Sequence, residues 1–151
     1  SSDLHMMTDQ PAFVPVLTVM VDYGGAPFLW LKESPDEPGY VNDCMCEGDG
    51  YCEDDPISEE LWRQFSPWAL EFNRTMYNDH ALDPDRWDWA AFHARGLQLT
   101  RLLKAEVGDA YRVLYCKPVE DPAFKQDEYR EVLADGTIVP FHPDLDGSAG
   151  S

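Results

Sequence analysis

Three kinds of residue in this chain could do chemistry: histidines, thiols and a dense set of carboxylates. Apart from His5 the histidines are His80, His93 and His142. His80 falls between two expected helices, His93 beside Phe92 on a helix, and His142 near the end. No two share a metal-ligand spacing, and a lone helical histidine is more often a half-buried packing residue than a general base. Cys44, Cys46 and Cys52 cluster, and Cys116 or a carboxylate could complete a four-ligand site with them. Paired zinc cysteines usually enclose two residues, whereas Cys44 and Cys46 enclose only Met45, so reduced thiols are expected, with a metal site or an oxidative disulfide as alternatives. Asp43, Glu47, Asp49, Glu53 and Asp55 superficially imitate a calcium loop but lack its ladder of oxygen ligands ending in a bidentate glutamate. With no glycine-rich phosphate loop, no paired helical histidines and no nucleophile elbow, the chain is expected to be no enzyme and to need no cofactor.

What remains is the acid itself. Between Glu33 and Glu60 there are eleven carboxylates and no Lys or Arg, interleaved with Pro35, Pro38, Pro56 and three glycines. Proline and glycine break helix and strand, so this stretch is expected as a solvated loop matched by a basic partner. Plain solubility is the bland reading, but a solubilising surface normally mixes signs, and a run of one sign makes a directed field. Tyr40 and Tyr51 inside it are amphipathic anchors of the kind that interfaces favour. A partner-binding surface is therefore expected at Asp36, Glu37, Tyr40, Asp43, Glu47, Asp49, Tyr51, Glu53, Asp54 and Asp55. The whole chain, with 29 Asp+Glu against 11 Lys+Arg and a net charge of -18, should repel nucleic acid and anionic membrane and attract a cationic protein.

The elements that must position this surface are readable from periodicity. Residues 13–21 are apolar and β-branched, Asp22-Tyr23-Gly24-Gly25 punctuates, and residues 27–32 resume, a pattern that predicts a hairpin. Ser58 can cap a helix whose first turn holds Glu59 and Glu60, with Leu61, Trp62, Phe65, Trp68, Phe72 and Met76 near the helical period. Pro67 either kinks this helix or opens a fresh one capped by Ser66. Asp83 and Pro84 suit the start of a second helix carrying Trp89, Phe92, Gly96, Leu99 and Leu103, with Gly96 marking a close backbone approach and Gly108 the stop. Trp87 and Trp89, two apart, cannot share a helix face, so one is expected partly exposed. Tyr111, Val113 and Tyr115 alternate as a strand, and residues 129–134 and 137–141 flank Asp135-Gly136 as a two-residue-loop hairpin. The sum is an α+β fold, a mostly antiparallel sheet with two main helices packed on one face.

At 151 residues with 44% hydrophobic and 13% aromatic content, one ordinary core is affordable and two are not. Residues 1–6 (Ser-Ser-Asp-Leu-His-Met) read as an expression scar, 7–143 as a single domain and 144–151 as a flexible tail. No signal peptide or membrane span is evident, so a cytoplasmic protein is expected.

Val21-Asp22-Tyr23-Gly24, Phe28-Leu29-Trp30-Leu31, a helix opening Ile57-Ser58-Glu59-Glu60-Leu61 with Trp68 and Phe72, and Phe92-His93-Ala94-Arg95-Gly96-Leu97 carry a family likeness. With the continuation Leu102-Leu103-Lys104-Ala105-Glu106-Val107-Gly108-Asp109-Ala110-Tyr111-Arg112-Val113, the chain resembles the small cytosolic immunity proteins of bacterial polymorphic toxin systems (contact-dependent, Rhs or type VI effector type). The likeness spans residues 14–115. The acidic, Cys-rich stretch 43–55 is longer than that family's connector, and the terminal hairpin lies outside the match. The resemblance implies a non-enzymatic antitoxin whose partner is a cognate cytosol-acting toxin domain, and charge suggests that an acidic surface covers a basic active-site cleft. An acidic nucleic-acid mimic regulating a basic protein, and a Cys-based metal-binding module, are the alternatives.

Overall fold

A computed structural model describes residues 13–22, 26–36, 43–51, 53–54, 56–78, 87–117 and 129–141. The apolar run at 13–21 forms β1 (Val16–Val19), which pairs antiparallel with β2 (Pro27–Lys32) in the register Val16↔Lys32 to Val19↔Leu29. This is the expected opening hairpin. The acidic stretch is not all loop, however. Asp43–Glu47 is a strand, β3, antiparallel to β2 and outermost on that side of the sheet. Its middle residues are apolar and Cys46, 1% exposed, packs into the core opposite Leu29. An edge strand can bury one side chain in this way while Glu47 at its end stays in water.

Ser58 caps α1 (Glu59–Asn73), its Oγ accepting from Leu61 N at 3.1 Å. The helix runs unbroken through Pro67, and Ser66 is an interior helix residue rather than a fresh cap. A five-residue π turn, Arg74–Asn78, prolongs it. The second helix, α2 (Trp89–Val107), starts later than expected. Asp88 caps it, Oδ1 accepting from Ala91 N at 3.0 Å, while Asp83 and Pro84 lie outside the described residues. Trp87 therefore precedes the helix, and the face argument does not apply to it. Both tryptophans are half-buried, each 6.4 Å from Phe72. Gly108, at φ 60°, ends α2, and Lys104 Nζ donates to the carbonyls of Gly108 (2.9 Å) and Tyr111 (2.7 Å). Lys104 thereby answers the helix C-terminus with a cation.

The chain returns as β4 (Arg112–Cys116), which lies parallel to β1, and closes with β5 (Tyr129–Val132) and β6 (Ile138–Phe141). The turn between β5 and β6 is one residue longer than expected. Leu133 N still bonds Thr137 O (2.8 Å), and Gly136 at φ 87° closes the three-residue loop Ala134-Asp135-Gly136. Asp135 accepts from Thr137, which holds its exposed carboxyl below the usual range. The sheet order is β3-β2-β1-β4-β5-β6, antiparallel except between β1 and β4.

Two apolar clusters separate by sheet face. Leu17, Val19, Leu29, Leu31, Val113 and Tyr115 belong to the cluster that includes Leu61, Phe65, Trp68 and Phe72 of α1 and Phe92, Leu99 and Leu103 of α2. Val16, Leu114 and Phe141 form the other, with Phe13 and Tyr129 against it. On that second face Arg112 makes a bidentate pair with Glu131 (2.9 and 3.0 Å) and lies 5.1 Å over the Phe141 ring. Gly96 is where α2 meets both α1 and the sheet. A methyl there would sit 2.6 Å from Trp68 Cζ2 and 2.7 Å from Tyr115 Cε1.

Candidate partner-binding surface

The expected surface is divided by the strand that runs through it. Asp36 is exposed just past β2, its N–H donating to Ser34 Oγ at 3.2 Å. Asp43 opens β3 opposite Leu31, near the same end of the strand pair. Glu47 closes β3, so it stands about 13 Å further along at the usual strand rise. Asp49, Glu53 and Asp54 are exposed in the turns that follow, and Glu59 and Glu60 are exposed on the first turn of α1. Glu37, Tyr40 and Asp55 lie outside the described residues. The described carboxylates thus fall into two groups, and the larger adjoins the start of α1.

Side chains of α1 fasten that larger group. Trp62 Nε1 donates to Glu47 O at 2.8 Å, and Ser66 Oγ donates to Gly48 O. Gly48 N donates to Ala26 O at 2.7 Å, and a Cβ at Gly48 would lie 3.2 Å from Ala26 Cβ and 3.3 Å from Ala69 Cβ. A side chain here would be a tight fit, so glycine suits a segment that lies this close to β2 and α1. Tyr51 is half-buried, donates its hydroxyl to Ile57 O at 3.0 Å and tilts against Trp62 with ring centroids 5.7 Å apart. Its polar tip is thus used inside the protein, and it anchors the segment inward. Each such hydrogen bond contributes only about 0.5–1.5 kcal/mol. Together they hold an acidic backbone that self-repulsion would otherwise extend.

The helical period puts Trp62 on α1 and offers Ser66 only as a possible cap, with no role for either at β3. The signal was nevertheless there: positions 62, 66 and 69 form one helical stripe, and it meets the end of β3. Glu106 was missed outright. It reaches from α2 to Ser58, Oε1 accepting from Ser58 N at 2.6 Å and Oε2 from Ser58 Oγ at 2.7 Å. These partners are 48 residues apart, and no local pattern joins them.

The two thiols that are described, Cys46 and Cys116, do not converge. Cys46 shares the helix-bearing face with Leu29, Val19 and Tyr115 through the strand registers, whereas Cys116 follows Tyr115 and points to the other face. Three strand spacings, about 14 Å, separate their strands, so Cys116 does not complete a site with Cys46. Both are buried thiols, which corrects the picture of Cys46 as an exposed loop residue. Cys52 lies outside the described residues, and nothing is described of the Cys44 side chain. Among the described residues no group of three His, Cys, Asp or Glu side chains could hold a metal ion. His93 shares a 2.7 Å hydrogen bond with the Tyr115 hydroxyl and stacks on Trp89 at 5.6 Å, a packing arrangement. No helix among the described residues is long and apolar enough to cross a membrane.

No curated protein and no solved structure matches the chain. A family model described as Serratia CdiI immunity protein-like matches residues 15–118. The match takes in β1 to β4 with both helices and leaves the β5–β6 hairpin outside. The chain belongs to the Serratia CdiI immunity protein-like family.

Proposed function

We propose that this protein neutralises its cognate toxin domain by laying the acidic segment 47–54 and the first turn of α1 over a basic active-site cleft. Asp36, Glu37, Tyr40, Asp43 and Asp55 extend the same contact. The observation that carries this reading is the fastening of a one-signed carboxylate segment to α1 through Trp62, Ser66 and Tyr51. A surface ordered before binding loses less entropy on association, and its field speeds encounter with a cationic partner. The protein acts in the cytosol without catalysis, and its net charge of -18 keeps it off nucleic acid and anionic membrane.

The test is a quadruple change of Glu47, Asp49, Glu53 and Asp54 to their amides. Relief of like-charge repulsion should leave the melting temperature unchanged or raised. Desolvated charge pairs at an interface are each worth about 1.5 kcal/mol or more, so protection of cells expressing the toxin should be lost. Full protection at normal expression would put the binding surface elsewhere on the molecule.

A further inference from the structure

The start of α1 and the last turns of α2 flank an open cleft of about 230 Å³ lined by Ser58, Glu60, Leu61, Gln64, Leu102 and Glu106. Its apolar lining is unequal. Leu61 is 4% exposed, whereas Leu102, at 41%, is one of the few exposed large hydrophobic residues among those described. Two carboxylates, Glu60 and Glu106, flank these leucines. The volume falls below the range of about 300–1,000 Å³ usual for small-molecule pockets, so the cleft suits one side chain rather than a metabolite.

We infer that this cleft receives a lysine or arginine side chain of the toxin, its aliphatic stem against Leu61 and Leu102 and its cationic head between Glu60 and Glu106. Long basic side chains bury their stems on apolar surface while the head seeks charge or water, and this lining offers both in sequence. Glu106 already accepts two hydrogen bonds from Ser58. A carboxylate has about four acceptor sites, so a cation can still engage it.

The local charge favours a cation despite the helix N-terminus nearby. That end contributes about half a positive charge, against Glu60 and Glu106, while Glu59 and Arg63 neutralise each other as a pair at 2.9 Å. The cations of α2 are directed elsewhere: Arg95 to Gln98 Oε1 at 2.9 Å, Lys104 to the Gly108 and Tyr111 carbonyls, and Arg101 to the Gly136 carbonyl at 3.1 Å. The inference rests on the proposed antitoxin role, and it adds a docking point that joins both helices to the acidic segment.

Leu102→Lys tests it by supplying the cleft with a cation of its own. Leu133→Lys, at a position 37% exposed beside the β5–β6 turn, makes the same charge change at a residue that does not line the cleft. The probe is the toxin domain encoded beside the immunity gene, with dissociation followed at fixed salt and melting curves confirming that both variants fold. Leu102→Lys should speed dissociation about tenfold and Leu133→Lys less than about twofold. Glu60→Gln, on the exposed helix surface, should speed it several-fold. Equal dissociation from the two lysine variants overturns the cleft assignment while the acidic-surface reading stands, and an unchanged rate for Glu60→Gln overturns it and confines the acidic contact to segment 47–54. Absence of binding by the unaltered protein overturns both.

Discussion

Gly96 shows how tightly a single position is constrained. Alanine is the better helix former by about 1 kcal/mol, so Gly96→Ala on an open helix face would stabilise the protein. Here the added methyl would come within 2.8 Å of both Trp68 and Tyr115. Neither ring is at liberty to retreat, because Trp68 Nε1 donates to Phe92 O at 3.1 Å and the Tyr115 hydroxyl is bonded to His93. Overpacking of this kind costs about 1–3 kcal/mol, which exceeds the propensity gain. Denaturant unfolding should therefore find Gly96→Ala less stable than the parent and Gly96→Leu much less so. A more stable alanine variant would mean that α2 stands further from the sheet.

Among the elements, β3 and α1 form the unit that carries the proposed contact. The strand alone is short and acidic, and isolated strands of this kind do not persist in water. It is held by its ladder to β2 and by the stripe of α1 that takes the carbonyls of Glu47 and Gly48. Trp62→Phe keeps an aromatic ring against Tyr51 but deletes the bond to Glu47 O. Global stability should fall by no more than about 1.5 kcal/mol. Hydrogen exchange across residues 47–51 should quicken, and the toxin domain should dissociate faster because the segment is less ordered beforehand. Unchanged exchange in that segment would show that Tyr51 and Ser66 suffice to hold it.

For the whole molecule the deciding quantity is its net charge of -18. The screening length shrinks from about 30 Å at 0.01 M salt to about 8 Å at 0.15 M. Association with the toxin domain should slow tenfold or more across that range while dissociation changes less than about threefold, as stopped-flow kinetics would measure. An association rate indifferent to salt would remove steering from the mechanism. The opening hairpin, Ser58 as a cap, Gly96 as a close approach and Gly108 as a stop were all legible in the sequence, because periodicity, capping and glycine geometry are local properties. The acidity was legible for the same reason, being additive over residues. The strand within the acidic stretch was not, since β3 exists only because β2 offers it an edge and the core accepts Cys46. Nor could the sequence tell that Tyr51 turns inward, that Asp88 rather than Asp83 caps α2, or that Glu106 meets Ser58 from 48 residues away. Those outcomes depend on which surfaces the folded sheet brings together, so chain order fixes the charge of the acidic segment and tertiary packing alone fixes its shape.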